Sequence, residues 1–214
     1  MLLLASAGEF RDENGVMPKP GLLQRMARVY GQLGYDAGLL FEAEKSALEA
    51  VQAAVPLGFI APRAPDTALA RVGDRTVGLI FLPDTYGKTP PSALMTQVVE
   101  TAASLSGKVD LVIGLSSWGI DAEQLLIGRA DGAFHILIGG GSGRGLVGMP
   151  MAFGKTLWVR PYSDGKGVGR IDAFSWPEPG KADVWINSSL RFDVLPLRDD
   201  LPDDPAVAAL LAGS

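Results

Sequence analysis

Residues 32–51 read QLGYDAGLLFEAEKSALEAV. Gly34 is placed to end a preceding helix, because glycine takes up the left-handed conformation that closes a helix with no Cβ penalty. Asp36–Phe41 is short and mostly apolar and reads as a strand. Residues 43–54 then carry apolar side chains at 43, 47, 48, 51 and 54, the spacing of one helical face. Helix, strand and helix in immediate succession mark an alternating α/β chain.

The pattern extends in both directions. Upstream, residues 21–33 place apolar side chains at 22, 23, 26, 29, 30 and 33, which is again helical, and Leu2–Ala7 reads as a buried first strand. Downstream, Leu57–Ile60 is another strand. Thr67–Val72 and Thr76–Leu82 read as two strands joined at Gly73-Asp74, a turn that Arg75 is expected to widen. Residues 92–105 read as a helix with Ser92 as its cap. Val109–Leu115 is almost continuously aliphatic, as expected of a strand covered on both faces. A short helix is expected over Asp121–Arg129, and a strand over Phe134–Ile138 that runs into glycines. The last third is β-rich, with Thr156–Pro161, Gly167–Trp176 and Ala182–Leu195 as strands. A final helix starts at Pro205 with Asp204 as N-cap. One α/β domain with mixed sheets over residues 1–200 accounts for this order.

Composition excludes several classes. Hydrophobic residues make up 47% and charged residues 20% of the 214, which is globular and not disordered. With a net charge of −5 and no Lys/Arg cluster longer than two, the chain lacks a phosphate-backbone stripe, so no nucleic-acid partner is expected. Cysteine is absent, which rules out disulfides, thiolate catalysis and zinc–thiolate sites in this chain. His135 is the one histidine, so a two-His metal site cannot be assembled from it. The apolar start MLLLASAGEF is too short to span a bilayer and has no basic flank, so no membrane span is expected.

Two local signals have ordinary explanations. Gly143-x-Gly145-x-x-Gly148 follows a strand and matches a dinucleotide fingerprint by letter, but Pro150 and the β-like MAFGKTLWV follow it where a helix is required. It reads as a glycine loop whose backbone N–H groups, with Arg144, could hold an anion. His135 sits within AFHILI and reads as a structural histidine.

Several segments in order resemble the 5′-nucleotidase and sugar-nucleotide hydrolase family of calcineurin-like metallophosphoesterases. In that family a helix ends in Leu-Gly-Tyr-Asp-Ala and the next strand runs into an Asn-His-Glu loop, the frame kept by QLGYDAGLLFEAEKSALEAV. ARVGDRTVGLIFLP resembles the family's Val-Gly turn and following strand. KVDLVIGLSSWGIDAEQLL resembles the strand that ends in Ser-His-Leu-Gly, and AFHILIGGGSGRG the one that ends in Gly-Gly-His-Ser/Thr-His. PYSDGKGVGRIDAFSW resembles the closing Gly-Lys-x-x-Gly-Arg-Leu-Asp strand pair. DDPAVAALL, within residues 201–214, resembles the start of a helix that links to a C-terminal domain. The resemblance implies a metallophosphoesterase-like four-layer α/β/β/α sandwich, with two mixed sheets face to face and helices outside. It also implies a periplasmic or extracellular location.

The family's chemistry uses two divalent metals that activate water and clamp a phosphate, and a histidine beside them. Carried over residue by residue, the resemblance matches the bridging Asp to Glu9, the Asn-His-Glu loop to Glu42, Ala43 and Glu44, the Ser-His-Leu-Gly histidine to Ser117, and the two Gly-His-x-His histidines to Gly141 and Gly143. The Asp-x-His pair of the opening strand has no match and is expected upstream of residue 1, if anywhere. Only Glu9 and Glu42 keep the character of hard-metal ligands. The expectation is a non-catalytic domain without cofactor that binds a small anion or a protein partner, with Ser116, Trp118, Ser142 and Arg144 as candidate contacts. The alternative is a repurposed metal-dependent phosphoesterase that uses the carboxylates.

Overall fold

A computed structural model describes residues 1–212, apart from 13, 86, 142, 163–164 and 178–188. Its first β layer is a parallel three-stranded sheet in the order β1 (Leu4–Ala5), β2 (Ala37–Leu39), β3 (Phe59–Ile60). The connections are the helices α1 (Pro20–Gln32) and α2 (Glu42–Ala50), as the periodicity of residues 21–33 and 43–54 predicts. Gly34 has φ +70°, which lets the chain leave α1 and turn into β2.

The second layer is a six-stranded mixed sheet. Its strands are β4 (Asp66–Val72), β5 (Arg75–Phe81), β6 (Leu111–Leu115), β7 (Ile136–Ile138), β8 (Leu146–Met151) and β9 (Thr156–Arg160), in the spatial order β4-β5-β6-β7-β9-β8. The inner strands are parallel and the two edges, β4 and β8, antiparallel. Helices α3 (Ser92–Leu105) and α4 (Ile120–Ala130) make the crossovers. A separate antiparallel pair, β10 (Gly167–Ala173) and β11 (Leu190–Pro196), completes the β structure, and α5 (Pro205–Ala212) packs against α1.

Three apolar layers hold these elements apart and together. Leu111, Ile113 and Leu115 of β6 face inward with Ala37 and Leu39 of β2 and with Ile171 and Phe192 of the β10–β11 pair, so the β layers pack face to face. Val112 faces the other way, among Val98 of α3 and Leu126 of α4. β6 is buried along its whole length because both of its faces are covered. Leu23 of α1 and Leu48 of α2 close the third layer over Leu40 and Phe59. This is the expected α/β/β/α order, with the smaller β layer made of a parallel triple and an antiparallel pair.

Three local expectations need correction. Arg75 does not widen the hairpin: it pairs directly with Val72, leaving a two-residue turn in which Gly73 has φ +63°. Ser92 is not the cap of α3. Pro91 holds that position with no side-chain bond, and the Ser92 hydroxyl instead accepts a 3.1 Å bond from Arg129 on α4. MAFGKTLWV is not one continuous β segment: a tight 3-10 turn at Ala152–Gly154 divides β8 from β9. The Asp204 cap is present, its carboxylate accepting from the N–H groups of Ala206 at 2.8 Å and Val207 at 3.1 Å. The strand expected over Ala182–Leu195 begins at Leu190; residues 182–188 lie outside the described residues, and Ser189 is not in the strand.

Candidate functional site

The loops that follow the parallel strands meet where the two β layers end. A Cβ added at Gly140, after β7, would lie 2.9 Å from the Ser116 carbonyl after β6 and 3.3 Å from the Ala7 carbonyl after β1. Loops at the carboxyl ends of parallel strands are where α/β folds build their sites.

Two buried glutamates organise this face. Glu44, in the first turn of α2, is fully buried. Its carboxylate accepts from the backbone N–H groups of Phe10 at 2.8 Å and Phe41 at 2.8 Å, and more loosely from Gly8 at 3.4 Å. One side chain thus ties the loop after β1 to the loop after β2. Burial raises its pKa, and the Phe41 and Phe10 bonds and the charge of Arg11 act against that rise. Arg11 itself lies 3.4 Å over the Phe41 ring.

Glu123, on the inward face of α4, does the same on the other side. It is fully buried and accepts from the Trp158 indole N–H at 2.9 Å, from Gly140 N–H at 3.1 Å and from Arg160 Nη1 at 2.5 Å. Burial raises its pKa first of all, while the Arg160 charge opposes that. A buried carboxylate is tolerable only with such partners.

The remaining residues divide sharply. The Glu9 carboxylate turns toward α1, where the Tyr30 hydroxyl donates to it at 2.6 Å. Desolvation raises the pKa of Glu9 and, with the neighbouring carboxylate, that of Tyr30. Tyr30 stacks on Tyr35 with ring centroids 5.6 Å apart. Glu42 lies at the rim, 3.5 Å from Arg63, and Ala43 is exposed. Ser116 is fully buried, and its hydroxyl accepts from Trp118 N–H at 3.1 Å. Trp118 is buried in the layer under α4 and donates its indole N–H to the Pro83 carbonyl at 2.7 Å.

Ser117 is also buried, and its hydroxyl has no hydrogen-bond partner. Gly141 and Gly143 have φ +73° and +110°. A Cβ at Gly141 would sit 2.2 Å from the Ser117 carbonyl, so the loop's path there admits no side chain. Arg144 is exposed and offers its carbonyl to Arg160 Nε at 3.3 Å. Ser142 lies outside the described residues. β8 follows the glycine loop, so no helix stands where a dinucleotide site would need one. His135 is remote in role: its Nδ1 accepts from Val112 N–H at 2.9 Å between β6 and β7, and burial lowers its pKa to about 4. Among the described residues, no three of His, Asp and Glu are grouped to hold a metal ion.

Solved structures place this architecture. The sulfate thiohydrolase SoxB of Thermus thermophilus matches 98% of the chain with a TM-score of 0.72 at 19% identity. A putative 5′-nucleotidase from Staphylococcus aureus matches 99% with a TM-score of 0.64 at 15% identity. The NAD nucleotidase NadN of Haemophilus influenzae matches 91% with a TM-score of 0.62 at 12% identity.

The chain has the metallophosphoesterase fold.

It spans less than half the length of these relatives, covering 41%, 48% and 46% of them in turn. No protein-family model and no curated protein matches it. Within this metallophosphoesterase fold, Glu123 and Arg160 are the residues that reading the sequence missed. Ala122, Glu123, Leu126, Ile127 and Ala130 share the buried face of α4, so an acid inside an apolar helical stripe was the available signal. Arg160 at the end of the apolar stretch TLWVR was its counterpart.

Proposed function

We propose that this domain is a binding module that works through its strand-end loop face, and that it does not hydrolyse phosphoesters by the two-metal route. The observation that carries this reading is the commitment of Glu9, Glu44 and Glu123 to partners within the chain, with Glu42 apart from them at the rim. Glu9 is bonded to Tyr30, Glu44 to three backbone N–H groups and Glu123 to Arg160, with Ser117, Gly141 and Gly143 at the positions the sequence resemblance gives to imidazoles. This donor set does not fit a pair of divalent ions, which needs convergent, unshared ligands.

The ligand class that suits the face is a small anion, met by backbone N–H groups of the glycine loop and by the exposed Arg144. Hydrolysis of nucleotides and bis-p-nitrophenyl phosphate should be assayed with Mn²⁺, Mg²⁺, Zn²⁺ and Ca²⁺, beside Glu9→Ala. No turnover from folded protein is expected, together with a thermal shift on adding phosphate, sulfate or AMP. Metal-dependent turnover that disappears in Glu9→Ala would instead establish a carboxylate-based phosphoesterase.

A further inference from the structure

We infer that Arg160 is a built-in cation that sets the conformation of the strand-end loops without a divalent metal. Arg160 is the last residue of β9 and is 3% exposed. Its three nitrogens reach three different groups: Nη1 the Glu123 carboxylate at 2.5 Å, Nη2 the Gly141 carbonyl at 3.2 Å, and Nε the Arg144 carbonyl at 3.3 Å. Glu123 in turn accepts from Gly140 N–H at 3.1 Å and from the Trp158 indole at 2.9 Å. The ion pair therefore holds the peptide groups of residues 140, 141 and 144 at once. Two of these are carbonyl oxygens aimed at a positive charge, the arrangement a hard cation would otherwise satisfy.

A planar guanidinium suits this task, because its donors point in fixed, divergent directions and its charge persists at every accessible pH. The packing around the pair leaves no slack. A Cβ at Gly139 would lie 2.0 Å from the Glu123 carboxylate and 2.9 Å from Arg160 Cγ. Across the face, Glu44 fixes the loops of residues 8–10 and 41 by the same principle, using backbone donors. Both sets of loops are thus organised from within the chain.

Hydrogen exchange of the backbone amides at Gly139–Gly145, measured on the full chain, tests it. In the wild-type protein, protection of Gly140 should be the same in EDTA as in millimolar Mn²⁺ or Zn²⁺. In Arg160→Gln the exchange of Gly140 should quicken by about tenfold or more, while the Leu111–Leu115 amides keep their protection. If that variant does not fold, Glu123→Gln with Arg160→Gln, which keeps hydrogen-bonding groups but no charge, carries the same expectation. A tenfold gain in wild-type protection on adding metal would overturn the inference, and so would unchanged exchange in the variants.

Discussion

Tyr30 and Glu9 face each other across the junction of α1 and the loop after β1, the phenol donating to the carboxylate at 2.6 Å. Removing the donor by Tyr30→Phe leaves a desolvated carboxylate short of a partner, which costs about 1–2 kcal/mol. The penalty should depend on pH. Burial already raises the folded-state pKa of Glu9 above its ordinary 4.5, and the Tyr30 bond restrains that rise. A group with a raised folded pKa contributes stability below its unfolded pKa and loses it as pH rises through the folded value. Without Tyr30 that loss grows, so urea unfolding should show a larger penalty at pH 7 than at pH 4. An equal penalty at both would show that the Glu9 carboxylate is not held by this bond.

Ser117 should be dispensable for folding. Its hydroxyl is buried without a partner, so the native state carries an unmet desolvation cost. Ser117→Ala should be neutral or stabilising by up to about 1 kcal/mol in urea midpoint. A loss larger than that would mean the hydroxyl is bonded in solution.

His135 should stay neutral down to about pH 4, because burial opposes its charged form. Its folded pKa is depressed, so the unfolded chain binds the proton more readily. Stability should therefore be lost as pH falls from 6.5 toward 4, by on the order of 3 kcal/mol at most. The raised pKa values of Glu9, Glu44 and Glu123 act in the opposite direction above pH 4.5, so bulk stability alone does not isolate the imidazole's contribution. An NMR titration of the single imidazole does, and a midpoint near 6.5 would refute the assignment.

Two glycines should respond in opposite ways. Gly31 lies inside α1 with ordinary helical φ, and a Cβ there would meet nothing within 4 Å. Gly31→Ala should stabilise by about 0.5–1 kcal/mol, through a smaller entropy loss on folding. Gly139→Ala drives a methyl into the Glu123–Arg160 pair and should cost several kcal/mol or prevent folding. Thermal unfolding of the two variants side by side gives the comparison.

The elements legible in the sequence were those written by periodicity alone. The apolar stripes of α1 and α2 and the continuous aliphatic run of β6 each point to one structure, because each depends on near neighbours. β8 was not legible. Its pattern slips between Leu146 and Met149, where the register shifts, and the turn after it places Ala152 and Phe153 at φ +49° and +57°, conformations that neither residue favours. The site was less legible than the fold. Glu44 reads locally as a charge that suits a helix start, and its burial follows only from Phe10 and Gly8, some thirty-five residues away in sequence. Glu123 and Arg160 are separated by 37 positions and meet only because β9 lies beside β7.

Pro150 has a consequence for how this protein behaves in company. Among the described residues β8 is an outer strand, paired with β9, and it exposes Val147 and Met149. Such a margin invites another chain to add itself, sheet to sheet, into a polymer. Proline offers no N–H to a newcomer, and the irregularity two residues earlier bends the strand away from a straight template. Pro150 thereby withholds a ladder donor at this border and blunts sheet-to-sheet addition there.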